Sequence, residues 1–170
     1  MLNATIELLR ESSYSDLEMR SIAQRASVPR LSGTAHFPSK NALIAEVYLR
    51  LLREAPLIVD IDQSVPARVT VQLRQVAAVL ADEPGVAAAC SIALMGNEPS
   101  VRVVRDKIGA EVNRRIRAAL GSGAWPEVAH ALELGFFGAL VQAGCGFSTY
   151  REIADELESF VHLVLGGAHP

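Results

Sequence analysis

Residues 15–43 read SDLEMRSIAQRASVPRLSGTAHFPSKNAL, and the pattern of apolar and helix-breaking residues in this stretch decides the fold. Ser15 and Glu18 stand in the S-x-x-E relation of a helix capping box. The apolar residues that follow recur at helical spacing and predict one buried stripe, formed by Met19, Ile22, Ala23 and Ala26. The stretch therefore opens with a short helix whose opposite side, which carries Arg20, faces outward.

The segment Ser27-Val28-Pro29 interrupts that period and predicts a tight turn. Proline suits the first turn of a helix, because the N–H that it lacks would have no partner there, so a further short helix is expected over Pro29–His36. Phe37 is expected to pack between this helix and the next. Ser39 then caps a longer helix, whose core-facing residues are Leu43, Ile44, Val47 and Leu51.

Ahead of this stretch, Leu2, Ile6 and Leu9 recur at helical spacing and predict one more helix. Three short helices, the last two joined by a tight turn, are the outline of a helix-turn-helix. On spacing alone this outline is weak evidence of DNA binding, since small helical trios are common.

After these N-terminal helices, the chain loses helical period from Pro56 to Pro66. The remaining punctuation predicts five longer helices, at about Val65–Ala81, Pro84–Met95, Ser100–Leu120, Pro126–Gly146 and Thr149–Leu165. No strand pattern competes with them. The sequence therefore predicts an all-α fold, with a three-helix head over residues 1–50 and a helical bundle over residues 51–170.

Charge is distributed unevenly along the 170 residues, whose net charge is −3. Residues 1–53 carry seven Lys/Arg against five Asp/Glu, a balance of +2, whereas residues 54–170 carry nine against fourteen, a balance of −5. A mildly basic head on an acidic body fits a protein that presents one end to phosphates.

The uncharged stretches Gly85–Asn97 and Leu134–Tyr150 are shorter than the roughly 20 apolar residues that cross a bilayer. Met1 leads directly into an amphipathic pattern, so we expect no signal peptide, no membrane partner and a cytoplasmic location. Cys90 and Cys145 lie in apolar stretches without a second Cys or His at metal-ligand spacing. This predicts two buried thiols, and neither a metal nor a cofactor.

Four short motifs stand in one register, namely Met19-Arg20-Ser21-Ile22-Ala23, Ala26-Ser27-Val28, His36-Phe37-Pro38-Ser39-Lys40 and Ala42-Leu43. Together they closely resemble the DNA-binding signature of the TetR family of bacterial transcriptional regulators. The resemblance covers about residues 1–50, and the helix count of the remainder is similar to that family's ligand-binding and dimerisation domain. It implies a homodimeric repressor that binds a palindromic double-stranded DNA operator and is released by a small-molecule effector.

The resemblance also implies which residues meet DNA. Lys40 places a cation beside outward-pointing N–H groups at a helix start, and in the family this lysine touches the DNA backbone. His36 is expected to make a second backbone contact. The residues placed at the major groove are Arg30, Leu31, Ser32 and Thr34. Arg20 is a further candidate for a DNA contact, and Arg30 suits either a guanine or a phosphate. The alternative for both arginines is a solvated surface charge.

The chain departs from the family pattern on the reading helix. The family commonly has Gly-Thr-Leu-Tyr or a similar run before the His-Phe pair, where this chain has Leu31-Ser32-Gly33-Thr34. Thr34 thus replaces an aromatic residue and Gly33 replaces an apolar anchor. A second hypothesis therefore stays open, in which the protein is a TetR-like ligand-binding dimer whose DNA-reading helix is weakened or lost.

The glycines of Pro126–Gly146 each cost about 1 kcal/mol in a helix relative to Ala, so a helix or a ligand is expected to approach closely there. The resemblance implies that the last two helices pair with those of a second subunit, and the candidates are Phe136, Leu140, Phe147, Phe160, Val161 and Val164. The candidates for lining an apolar or amphipathic effector's pocket are Cys90, Leu94, Met95, Val104, Ile108 and Phe137. Both sets also fit an intramolecular core.

An enzyme is the third hypothesis. Glu127 and His130 share a helix face in a Glu-x-x-His pattern, as in carboxylate-bridged di-iron bundles. Those sites need a second such motif, which the chain lacks, and Glu158 with His162 fits a surface pair equally well. With no Gly-rich phosphate loop and no nucleophile elbow, the sequence predicts that the protein is not an enzyme.

Overall fold

The computed structural model describes residues 1–29, 37–123 and 125–166. These residues form eight α-helices: α1 (Leu2–Glu11), α2 (Met19–Arg25), α3 (Lys40–Glu54), α4 (Val65–Ala78), α5 (Pro84–Leu94), α6 (Pro99–Leu120), α7 (Pro126–Gly144) and α8 (Tyr150–Gly166). The all-helical prediction is confirmed, and the five helices of the body lie within a few residues of their expected ends. The helix expected over Pro29–His36 falls outside the described residues except for Pro29.

The helices cluster into two compact units. The first unit comprises Met1–Leu52 with Glu83–Ile108, and the second comprises Arg53–Asp82 with Gly109–Pro170. α5 and the first half of α6 therefore pack with the N-terminal helices, although they follow them by thirty residues or more in the chain. The division into a head over residues 1–50 and a body over residues 51–170 stays a prediction.

α3 is the centre of the first unit. Leu43, Ile44 and Val47 are fully buried, as the sequence predicts, and so are neighbours on other sides of the same helix, including Tyr48 and Leu52. The helices around α3 contribute the buried residues Leu9, Ile22, Val86, Ala89, Val101 and Val104. A helix that is apolar on nearly all sides is stable only when other helices surround it.

α1 and α5 lie in unusually close contact. A Cβ atom built on Gly85 would lie 2.1 Å from the carbonyl oxygen of Leu9, so only glycine allows this approach. Beside it, Arg10 Nε donates hydrogen bonds to both carboxylate oxygens of Glu83, at 3.0 and 2.9 Å. The hydrogen bond from Arg10 lowers the pKa of Glu83.

In the second unit, α8 packs against both α4 and α7. Arg74 of α4 donates a hydrogen bond to the carbonyl of Ala154, at 2.9 Å, and pairs with Asp155. On α7, a Cβ atom at Gly135 would lie 2.0 Å from the ring of Phe160. Gly135 therefore provides the close helix approach that the sequence predicts for this glycine-rich segment.

A buried arginine holds the segment that follows α3. Arg115 is 1% exposed, and its guanidinium donates to the carbonyls of Ala55, at 2.7 Å, and Pro56, at 3.1 Å. It also donates to Glu111 at 2.8 Å. Hydrogen bonds from Arg114 and then Arg115 lower the pKa of Glu111, against the opposing effect of burial. The buried charge is thus paired, as an interior charge must be.

Two local predictions are wrong. α2 begins at Met19, so its N-cap residue is Glu18 rather than Ser15, and no side chain caps it. The hydroxyl of Ser15 instead lies 2.7 Å from that of Ser13, which donates to Asp16. Cys145 is exposed, since it lies just past the end of α7. Cys90 is buried as predicted, and burial raises its pKa to about 12. Among the described helices, none combines the length and the apolar character needed to span a membrane.

We expect Gly85→Ala to lower the free energy of unfolding by about 2 kcal/mol, because the added methyl group would overlap backbone of α1 that cannot rotate away. Chemical denaturation measures this change. Gly166→Ala is the matched control, since a Cβ there meets nothing within 4 Å. Equal stabilities of the two variants would show that α1 and α5 are not packed this tightly.

We expect Glu111→Gln to lower the free energy of unfolding at neutral pH. In the variant this free energy should also fall less steeply as the pH is lowered. The pKa of Glu111 is lowered in the folded state, so its contribution is present above the ordinary carboxyl pKa and is lost as the pH falls through the folded pKa. Thermal melts between about pH 7 and pH 3 measure this. An unchanged pH dependence in the variant would contradict the assignment.

Candidate nucleic-acid interface

The exposed side of α2 carries two arginines in different electrostatic states. Arg25 donates to the carboxylate of Glu11 at 2.9 and 3.1 Å and lies 3.5 Å from Glu7, and its hydrogen bond lowers the pKa of Glu11. Arg20 is exposed, and within the described ranges no carboxylate forms an ion pair with it. Arg20 is therefore the α2 cation whose charge is available to a phosphate.

A tight turn of defined geometry ends α2. The N–H of Val28 donates to the carbonyl of Ala23 at 3.0 Å, and the N–H of Ser27 donates to that of Gln24 at 3.1 Å. Ser27 has φ 53°, in the left-handed region. These are the two hydrogen bonds and the left-handed residue of a Schellman motif. The turn that the sequence predicts here therefore forms, and it leads the chain out of α2 toward Pro29.

Lys40 lies at the first position of α3. The hydroxyl oxygen of Ser39 accepts a hydrogen bond from the N–H of Ala42 at 3.1 Å, so the predicted cap forms. Lys40 Nζ donates to the carbonyl oxygen of Tyr14 at 2.8 Å and lies 4.1 Å from the centre of the Tyr14 ring. The cation is thus held at a helix N-terminus, where backbone N–H groups also favour an anion.

Tyr14 is a residue of this site that the sequence prediction missed. It belongs to the turn between α1 and α2, outside any periodic pattern, and it reaches Lys40 across 26 positions of the chain. The other residues predicted to meet DNA lie outside the described residues, namely Arg30, Leu31, Ser32, Thr34 and His36. Phe37 is half-buried at the point where the description resumes.

The residues predicted to line an effector pocket are divided between the two units. In the first unit Cys90, Val104 and Ile108 are buried, Leu94 is half-buried and Met95 is 71% exposed. Phe137 belongs to the second unit, where it is half-buried and makes an edge-on contact with Phe136. Their role in binding an effector stays a prediction.

The residues predicted to pair two subunits also differ in burial. Phe136 and Val161 are fully buried within the protomer, Leu140, Phe160 and Val164 are half-buried, and Phe147 is 83% exposed. Phe136 and Val161 therefore support the packing of α7 and α8 rather than offer a contact surface. Large apolar residues that the sequence prediction passed over are exposed on the same helices: Leu134, Val141 and Leu163.

Glu127 and His130 are both exposed on α7. Searched over its described residues, the chain brings no three His, Cys, Asp or Glu side chains together as a metal site would require. The geometry therefore adds nothing to the di-iron alternative.

Comparison with known proteins gives similarities along the whole chain. A family model described as bacterial regulatory proteins, tetR family, matches residues 1–47. An HTH-type transcriptional regulator of Mycobacterium bovis is 53% identical over 171 residues, an alignment that covers 99% of this chain and 80% of that protein. An HTH-type transcriptional regulator of Mycobacterium tuberculosis matches with the same identity and coverage.

Two solved structures are similar in fold. A TetR transcriptional regulator from Rhodococcus sp. RHA1 has a TM-score of 0.79 at 21% identity, covering 99% of this chain and 94% of that one. The transcriptional regulator FadR from Bacillus subtilis, in complex with stearoyl-CoA, has a TM-score of 0.58 at 12% identity, covering 99% and 97%.

Proposed function

Because the chain belongs to the TetR family of bacterial transcriptional regulators, we propose that it is a homodimeric repressor of a palindromic operator, released by an apolar or amphipathic effector. The family and these relatives are regulators rather than enzymes, in agreement with the sequence prediction. The observation that carries the DNA-binding part of this proposal is the placement of Lys40, which is held at the capped N-terminus of α3.

A lysine at this position suits a phosphate for two reasons. An ammonium group has three donors; the Tyr14 carbonyl accepts from one of them and the Tyr14 ring covers part of the ammonium, which leaves a donor for a phosphate oxygen. The partial positive charge of the α3 N-terminus adds to the charge of Lys40. Phosphate contacts of this kind set the register of a DNA-binding head, whereas residues on the reading helix select the bases.

Release by an effector is supported by the packing inside the first unit. α5 contacts α1 through Gly85 and through the Arg10–Glu83 pair, and Lys107 of α6 pairs with Glu46 of α3 at 3.0 Å. A ligand that displaces α5 or α6 would therefore strain the helices that carry the DNA contacts. Such a ligand shifts the equilibrium only by binding the displaced state more tightly than the DNA-competent one.

The proposed effector class rests on the apolar character of the predicted lining residues of the first unit, Cys90, Leu94, Met95, Val104 and Ile108. FadR, which is similar in fold alone, was solved with stearoyl-CoA, an amphipathic molecule. That complex supports the proposition that a fold of this kind accommodates an amphipathic ligand.

Dimerisation is supported by an exposed stripe on α7. Leu134 is 60% exposed, Val141 is 50% exposed, and Gly138 lies between them with open space around it. Positions i, i+4 and i+7 lie along one line of a helix, so these residues form a continuous surface. Leu163, 77% exposed, lies one turn beyond Phe160 on the helix that packs against α7. The same stripe on a second subunit could cover these apolar residues.

The alternative function keeps the dimer and the effector but not the operator. The departures at Leu31-Ser32-Gly33-Thr34 favour it, because a reading helix without its usual aromatic and apolar anchors makes fewer contacts. The variants below separate the two proposals, since under the alternative they would leave DNA affinity unchanged.

We expect Lys40→Glu and Arg20→Glu each to weaken binding by about tenfold or more, because each change replaces an attraction to phosphate with a repulsion. Fluorescence anisotropy with DNA from the gene's own upstream region, at fixed salt, measures the affinity. Arg151→Glu is the matched control, since Arg151 is 80% exposed and belongs to the second unit. Equal affinities for all three variants and the parent would contradict the proposed interface.

We expect Leu134→Glu to convert the dimer to a monomer and to weaken operator binding with it, because the charge would be buried between two α7 helices. Sedimentation velocity over a range of protein concentrations measures the assembly state. Ile61→Glu is the control, because Ile61 is 80% exposed but lies outside the α7–α8 surface. A Leu134→Glu protein that still sediments as a dimer would place the interface elsewhere.

A further inference from the structure

Hydrogen bonds join the side chains of Tyr14, Asn41 and Glu98, and they connect the residue that holds Lys40 to the start of α6. The phenol of Tyr14 donates to Asn41 Oδ1 at 2.6 Å. Asn41 Nδ2 donates to Glu98 Oε1, also at 2.6 Å. Tyr14 in turn holds Lys40 through its carbonyl oxygen and its ring. All four residues are half-buried and belong to the first unit.

The direction of these hydrogen bonds is set by chemistry. A carboxylate only accepts, so the amide nitrogen of Asn41 must face Glu98 and its oxygen must face the phenol. The hydrogen bond to the charged carboxylate is the stronger kind, and it polarises the amide, which strengthens the hydrogen bond from Tyr14. The two hydrogen bonds therefore couple Glu98 to the Tyr14 phenol through the Asn41 amide.

Glu98 itself is held in place by its neighbours. Arg105 donates to the carbonyls of Leu94, at 2.7 Å, and Gly96, at 2.9 Å, and so closes the turn between α5 and α6. A Cβ at Gly96 would lie 3.3 Å from the Asn41 amide nitrogen, so the turn packs directly on Asn41. The backbone carbonyl of Glu98 accepts from Arg102 in the first turn of α6.

We propose that Glu98 and Asn41 are positioning residues for the phosphate contact of Lys40, acting through Tyr14. A free lysine loses rotamer entropy when it is immobilised, and a lysine already held by Tyr14 has lost part of this entropy before DNA arrives. This inference rests on the proposed phosphate role of Lys40. Under this proposal an acidic residue, Glu98, which lies 58 positions after Lys40 in the chain, favours binding to the polyanion DNA.

Glu98→Ala tests this inference sharply, because simple electrostatics predicts the opposite sign. Removing a negative charge should strengthen DNA binding slightly, as we expect for Asp106→Ala, an exposed carboxylate on the same helix. We expect Glu98→Ala instead to weaken binding about threefold to tenfold. Glu98→Gln keeps the accepting oxygen and should retain most of the affinity.

A double-mutant cycle with Lys40→Met separates positioning from general support of the fold. In the parent background, Glu98→Ala should reduce the slope of log affinity against log salt concentration by up to about 0.9, the value of one phosphate contact. In the Lys40→Met background it should leave the slope unchanged and should not weaken binding, so that only the slight gain from removing a negative charge remains. An equal loss in both backgrounds, or unchanged binding by Glu98→Ala alone, would overturn the proposal.

A measurement without DNA keeps this result separate from failure of the proposed function. The chain has two lysines, Lys40 and Lys107, so acylation by an amine-reactive ester can be followed at both by peptide mass spectrometry. We expect Glu98→Ala to accelerate acylation of Lys40 severalfold and to leave Lys107 unchanged. Equal rates at Lys40 in both proteins would overturn the positioning role. Faster acylation in a protein whose parent binds no DNA would support the positioning role and reject the operator.

Discussion

The burial of α3 is the constraint on which the first unit depends. This helix begins with the cation proposed to meet phosphate, and within a turn it enters a core that is closed on nearly all sides. A rigid element is a better support for a binding residue than a loop is. Because Lys40 and the core residues share one helix, the position of the cation follows from the packing of Leu43, Ile44 and Val47.

The same helix explains why α5 and α6 matter to a DNA-binding head. α3 cannot be buried by α1 and α2 alone, and α5 closes it at Cys90, whose sulfur lies 3.9 Å from the carbonyl of Ile44. Close contact of α5 with α1 then requires Gly85, and Lys107 of α6 pairs with Glu46 of α3 at 3.0 Å. The chain through Leu52, which carries Lys40, therefore shares one compact unit with α5 and with α6 as far as Ile108.

Local patterns in the sequence predict the helices well, because helix ends are marked by Pro84, Pro99 and Pro126 and by capping residues such as Ser39. Local patterns fail where contacts with neighbouring side chains or helices determine the structure. Hydrogen bonds among Ser13, Ser15 and Asp16 replace the expected capping box, since short polar side chains compete for the same partners. Periodicity also identifies α7 as apolar, but it does not tell which stripe faces inward. Only the structure shows that Phe136 is buried while Leu134 and Val141 are exposed.

At the candidate site, the sequence predicts the cation Lys40 but not the residues that hold it. The family resemblance points to Lys40. Tyr14 and Asn41, by contrast, are 27 positions apart in the chain, and Asn41 and Glu98 are 57 apart, so no local sequence pattern predicts their contacts. Only the folded chain brings them together. Their arrangement makes Lys40 a held cation rather than a mobile surface charge.

The most direct test of the account is hydroxyl-radical footprinting of the full chain on DNA from the gene's own upstream region. Two heads related by a two-fold axis should protect two half-sites in successive major grooves, with centres about 34–36 Å apart. Lys40→Glu should lose both protected regions together. No protection at protein concentrations where the chain is dimeric would contradict an operator-binding role, and so would protection unchanged by Lys40→Glu.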